Sequence, residues 1–235
     1  MREFFSLEGP FNKYGGFIAD MFILNLMWII FSIPLITIGA STSAMFYVAT
    51  RRIADREGYI TSDFWYAFKA NFKRATMLWL IVFFIGGVLL WNIFGGAMEY
   101  VPERTVGFVF PAQIIFFIQL LLLNSFIFPV TARFDMKVVE VLKYSFFMAN
   151  RHLLTSLLCA ITLVGLVFLS WLSPMVFFIA PGVYACIASF LIMRIFKRYR
   201  PDMDPDPIVE IQQREAEKAE ERRRAEIQTL EGDDE

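Results

Sequence analysis

The strongest constraint in this chain is the length of its uncharged apolar runs. From Ile114 to Val130 no residue carries a charge, and apolar stretches lie near 17–50, 77–98, 106–130, 153–172 and 175–196. A helix that crosses a bilayer needs about 20 predominantly apolar residues. Soluble domains are roughly 45–50% apolar and about 25% charged; here the figures are 57% and 19%, with a mean hydropathy of +0.53. The fold class that follows is all-α: a polytopic transmembrane helical bundle of five or six membrane helices, multi-pass in the cell membrane. The lipid bilayer is its first partner, and nothing points to nucleic acid.

The formal net charge of −1 conceals a division. Residues 201–235 hold 13 acidic and 5 basic side chains, a net of −8, and residues 1–200 hold 10 acidic and 17 basic, a net of +7. Loops rich in Lys and Arg stay on the cytoplasmic side. Three segments are basic: 51–74, 131–152 and the flank from Arg194 to Arg200. The connection 99–105 has only Arg104 beside Glu99 and Glu103, and the turn Ser170–Pro174 is uncharged. The basic sides are therefore assigned inside, with the C-terminus cytoplasmic. The first 16 residues carry Glu3 and Glu8, and no small-residue cleavage site follows, so the first span reads as a signal-anchor.

As one helix, Phe17–Thr50 would be about 51 Å long, against a hydrocarbon core of about 30 Å. Pro34 and Gly39 interrupt it, and Ser41, Thr42 and Ser43 offer N-caps. Two helices, about 17–33 and 40–57, are favoured over one kinked span, with Gly58 as a C-cap. The further helices are placed at about 75–98, 106–130, 153–172 and 175–197. Residues 1–200 form the membrane domain, and 201–235 form an acidic cytoplasmic tail, helical or disordered.

An internal repeat is suggested at an offset of 79, where Phe68-Lys69-Ala70-Asn71 meets Phe147-Met148-Ala149-Asn150. Each copy is a basic, aromatic segment leading into a span. Residues 61–73 read as a separate interfacial helix. Phe64, Trp65, Phe68 and Phe72 share one face, turned toward lipid, and Lys69 and Lys73 lie on another, toward headgroups or solvent. In the tail, Pro207 follows Asp206 as an N1 proline would, and residues 208–230 favour helix.

No catalytic constellation is present. His152 is the single histidine, which excludes a two-histidine metal motif, and no nucleophile elbow, phosphate-binding loop or dinucleotide fingerprint occurs. Cys159 and Cys186 have no metal or redox spacing. The chain is read as non-enzymatic, without cofactor or metal. Polar side chains inside apolar helices are costly, so Asp20, Asn25, Gln113 and Asn124 are the candidate site residues. Gln113 and Asn124, 11 residues apart, fall about 20° apart around a helix. They would line a polar face for a neutral solute or simply bond between helices. Ala40, Ser41 and Ala44, and Gly182, Cys186 and Ser189, repeat at helical spacing and mark contact faces, within the chain or toward partners.

The stretch Asn25-Leu26-Met27-Trp28, then Pro34-Leu35-Ile36-Thr37-Ile38-Gly39-Ala40 and Ala44-Met45-Phe46-Tyr47, resembles the YesL-like family. So does Asp63-Phe64-Trp65 with Phe68-Lys69-Ala70-Asn71-Phe72-Lys73. These are small integral membrane proteins of Gram-positive bacteria whose biochemical function is unknown. The resemblance covers most of residues 1–200, with the later helices alike only in apolar layout, and leaves out the acidic tail. It implies a companion of carbohydrate uptake systems, including ABC importers for oligosaccharides, and transfers no site residue. The leading expectation is an accessory protein packed against the permease subunits of such an importer. The alternatives are an autonomous secondary transporter or channel, and a scaffold or sensor acting through its tail.

Overall fold

The computed structural model describes residues 10–53, 59–94 and 103–199. Gly58 and the tail 201–235, each given a role above, lie outside the described residues. Among the described residues the elements are all helical: α1 (Pro10–Ser32), a 3-10 turn (Leu35–Thr37), α2 (Ile38–Ile53), α3 (Ile60–Phe94), α4 (Glu103–Arg133), α5 (Val138–Arg151), α6 (Leu153–Leu172), α7 (Pro174–Phe177) and α8 (Ala180–Tyr199). Three helices are long and apolar enough to cross a membrane: Ile60–Phe94, Gly107–Arg133 and Leu153–Leu172. The contacts divide the chain after Met193. What is described of the second unit is the basic end of α8, with Arg194, Lys197 and Arg198.

The first apolar region breaks at Pro34, whose ring disfavours helix in the residue before it. The Thr37 hydroxyl lies 2.6 Å from the Phe31 carbonyl in the last turn of α1 and 2.7 Å from the Pro34 carbonyl, which also accepts the Thr37 backbone N–H at 2.9 Å. After the turn, α2 runs through the interior. Every residue from Ser43 to Thr50 is buried, as are Gly39, Ala40 and Ser41. A helix buried all round must be small or apolar throughout. Three of its hydroxyls donate to carbonyls one turn back: Ser41 to Thr37 at 3.0 Å, Thr42 to Ile38 at 2.7 Å and Thr50 to Phe46 at 2.9 Å. Ala40, Ser41 and Ala44, one of the two small-residue faces in the sequence, are therefore packed within the chain.

The most extensive helix pair is α2 with α3. Their backbones touch at Gly39, where a Cβ would collide with the Ala75 carbonyl and the Trp79 Cβ. The tip of Trp79 then donates to the Leu35 carbonyl at 2.9 Å, fixing the 3-10 turn on the same helix.

Two sequence expectations change here. The interfacial helix expected at about 61–73 and the span expected at 75–98 are one helix, because no Gly or Pro occurs between Tyr59 and Ile85. The basic segment 131–152 contains a helix of its own, α5, with Glu140 accepting the Lys137 backbone N–H at 3.0 Å. Between α5 and α6 the chain breaks at His152, and the Ser156 hydroxyl bridges the break by donating to the Ala149 carbonyl at 2.7 Å.

The repeat is present with a different register. Ile60, Phe64, Ala67, Phe68, Ala75 and Leu78 are buried, and so are Val141, Ser145, Met148, Ala149, Ser156 and Cys159. Each pair is 81 residues apart. At the same offset the wholly buried run 44–50 of α2 falls on the wholly buried run 125–131 of α4, and Thr50-Arg51-Arg52 falls on Thr131-Ala132-Arg133. The offset of 79 fails because two residues turn a helix by about 200°. It pairs buried Phe68 with Phe147, which is 53% exposed. The halves are thus α2–α3 and the latter part of α4 with α5–α6.

Gly39→Ala drives a methyl group into backbone, and overpacking of this kind costs about 1–3 kcal/mol. It should lower the thermal midpoint in mild detergent. Gly87→Ala meets nothing within 4 Å and should change stability by less than about 0.5 kcal/mol. Equal midpoints for the two variants would contradict this packing.

Candidate functional site

The four polar residues singled out in the sequence do not meet at one place. Asp20 of α1 forms an ion pair with Arg52 at the end of α2. A carboxylate among apolar helices is stable when paired, and this pair ties the first two helices together. Asn25, one turn further along α1, is buried and reaches α8. Its Oδ1 accepts the Gly182 backbone N–H at 2.6 Å, and a Cβ on Gly182 would strike the Asn25 side chain. Gly182 thus belongs to an internal contact.

Gln113 and Asn124 both lie on α4, and in each the side-chain oxygen is buried without a hydrogen-bond partner. Asn124 borders a partly open cavity of about 360 Å³, lined by Trp28, Thr42, Met45, Trp79, Phe128, Leu163, Leu166 and Tyr184 among others. Asp20, Asn25 and Gln113 are not among the residues that line it. The cavity is almost wholly apolar, and most polar tips near it are satisfied. The Trp28 Nε1–H donates to the Thr42 hydroxyl at 3.0 Å, and the Ser170 hydroxyl donates to the Leu166 carbonyl at 2.7 Å. Asn124 was legible as a buried amide, but the aromatic side chains that surround it are spread along the sequence with no common motif.

The aromatic anchor also changes. Phe64 is fully buried and Phe68 nearly so, both packed on Phe31 at centroid distances of 5.6 and 5.1 Å. They join α1 to α3 and do not face lipid. Trp65 and Phe72 remain exposed at 43% and 38%, and Lys69 and Lys73 are exposed beside them. Lys69 Nζ stands 4.5 Å from the Trp65 ring centre, a cation–π contact that holds the ammonium against the helix.

Sequence counting missed how many basic residues are paired. Arg51 lies 3.3 Å from Asp63, and Arg74 binds the Asp135 carboxylate and also donates to the Asn71 oxygen at 2.8 Å. The basic segments thus carry their own counter-charges and hold α2 to α3, and α3 to the α4–α5 turn. Among the described residues, no cluster of His, Cys, Asp and Glu could hold a metal ion.

Two outcomes follow from the ties to α1. Asn25→Ala strands the buried Gly182 N–H and should cost about 1–3 kcal/mol, read as a lower midpoint in detergent. Asp20→Ala and Arg52→Ala should each destabilise, and the double variant should lose less than the sum by about 1 kcal/mol. Strict additivity would mean that the pair does not form.

A family model described as "Protein of unknown function, DUF624" matches residues 21–93. That segment contains the α1–α2 break, Gly39 and most of α3. The chain is 30% identical over 164 residues to "Uncharacterized protein YesL" of Bacillus subtilis (strain 168), an alignment covering 68% of this chain and 76% of that protein. No solved structure matches the chain. The length of the shared segment and its identity identify the chain as a member of the YesL-like family.

Proposed function

We propose that this protein is a non-enzymatic, multi-pass component of the cell membrane that assists a carbohydrate or oligosaccharide ABC importer by packing against its permease subunits. One observation carries the accessory part of the reading. The polar groups buried in the apolar helices hold the chain together or stand apart, and they line no common route. Asp20 pairs with Arg52, Asn25 bonds Gly182, and Gln113 and Asn124 do not share a cavity. A transporter acting alone places its binding groups together near the membrane midplane. The carbohydrate part rests on the family resemblance.

The docking surface differs from the one the small residues suggested. The outward faces of α3 and α6 carry Phe83, Phe84 and Trp91, and Ile161, Val164 and Phe168, all exposed. In a bilayer such faces meet lipid tails or the apolar helices of a partner, and there packing takes the place of a hydrophobic driving force. The C-terminus is assigned to the cytoplasm by the positive-inside rule.

The specific observation favouring the second reading, an autonomous transporter or channel, is the parallel repeat, since repeated halves are common in transporters. Purification in mild detergent separates the two. The accessory reading predicts recovery of importer permease subunits with the tagged chain, and reduced oligosaccharide uptake in a deletion strain. Recovery of the chain alone, with undiminished uptake in that strain, would overturn it. Solute flux through liposomes holding only this protein would establish the second reading instead.

A further inference from the structure

The two halves pack differently, and the difference opens a space. In the first half α2 closes on α3 through Gly39 against Ala75 and Trp79. The equivalent residues in the second half are Leu120, Ser156 and Ala160. Leu120 lies against Gly86 of α3, and α6 leaves the line of α5 at the His152 break. The cavity of about 360 Å³ borders this looser packing, with Asn124 and Phe128 of α4 and Leu163 of α6 on one side and Thr42 and Met45 of α2 and Trp79 of α3 on the other. Its size is within the ordinary range for ligand pockets, about 300–1,000 Å³.

The chemistry of the lining restricts the occupant. No Asp, Glu, His, Lys or Arg lines it, so a charged ligand would be buried without a counter-charge. Trp28, Trp79 and Ser170 already donate within the chain. Tyr184 and Asn124 both line the cavity with a buried side-chain oxygen that has no hydrogen-bond partner. The two ends of the Asn124 carboxamide exchange on a flip, so what it lacks is one group able to donate or accept, which is a hydroxyl. A sugar would bring several hydroxyls to one amide and one phenol. A phospholipid headgroup is excluded by depth, because Asn124 is nine residues, about 14 Å, inward from Arg133 at the end of α4.

We propose that the cavity binds a small, neutral, predominantly apolar molecule carrying one hydroxyl, such as a medium-chain alcohol, with that hydroxyl hydrogen-bonded to Asn124. The site stands whether or not the protein serves an importer, and its test needs no partner. Trp28 and Trp79 line the cavity and serve as reporters once Trp65, Trp91 and Trp171 are replaced by Phe. The full chain carrying these replacements, in lipid nanodiscs, is titrated with bromodecanol and, separately, with bromodecane, which has no hydroxyl. Saturable quenching is expected, with half-saturation about tenfold lower for the alcohol, the size of one buried hydrogen bond. Asn124→Leu should bring the alcohol to the level of bromodecane without lowering the thermal midpoint, since it removes an unsatisfied polar atom. Leu163→Phe, which fills the space, should weaken both probes. The comparison of the two probes on the unaltered cavity decides the matter even if a cavity variant fails to fold. Quenching that is linear with probe, or equal for alcohol and bromodecane, would overturn the proposal, as would a cavity occupied by a phospholipid tail that neither probe displaces.

Discussion

Everything else in the structure is arranged around the contact of α2 with α3 at Gly39. With hydrogen in place of a side chain, α2 lies backbone to backbone on the long helix, and Ala75 and Trp79 close over it. That contact puts α2 at the centre, with its small residues Gly39, Ala40 and Ser41 at the close approach and its large side chains Met45, Phe46 and Tyr47 buried further along. The choice suits a bilayer. Lipid tails are as apolar as leucine, so close packing of small residues, together with internal hydrogen bonds, has to hold helices together. The Asp20–Arg52 pair and the Asn25–Gly182 bond then fix α1 to α2 and to α8, beside its aromatic contact with α3.

The repeat shows how one packing plan can serve two purposes. In register, the halves bury most of the same positions, with Asn71 against His152 and Trp79 against Ala160 among the exceptions, and end their central helices alike, at Thr50-Arg51-Arg52 and Thr131-Ala132-Arg133. They part where the first half has Gly39 and an unbroken α3, and the second has Leu120 and the His152 break. The first half closes at Gly39. Between the two halves lies a cavity with an unsatisfied amide, the kind of departure from regular packing in which function is usually found.

Much of the architecture was legible because lipid solvation imposes strong rules on sequence. The apolar runs, Pro34 as a break and the small residues of α2 could all be read directly. Other features depended on tertiary partners and were not. Phe64 and Phe68 form an apolar face that would suit lipid equally well, and only Phe31, more than 30 residues earlier, makes it a core. The repeat was visible, but matching letters set its register two residues out, since Phe-rich segments match at many offsets while burial fits one. Asn124 was singled out as costly. That it faces a cavity follows from six other helices and could not be read from its own.

The central claim is that the chain consists of two copies of one packing unit, 81 residues apart. The most direct test is a scan of oxygen accessibility by single spin labels along 60–79 and 141–160 in nanodiscs. The account predicts minima at 60, 64, 67, 68, 75 and 78, repeated at 141, 145, 148, 149, 156 and 159, with one unrepeated minimum in each scan, at 71 and at 160. Minima in the second scan at 139, 143, 146, 147, 154 and 157, or none in phase with the first, would contradict it.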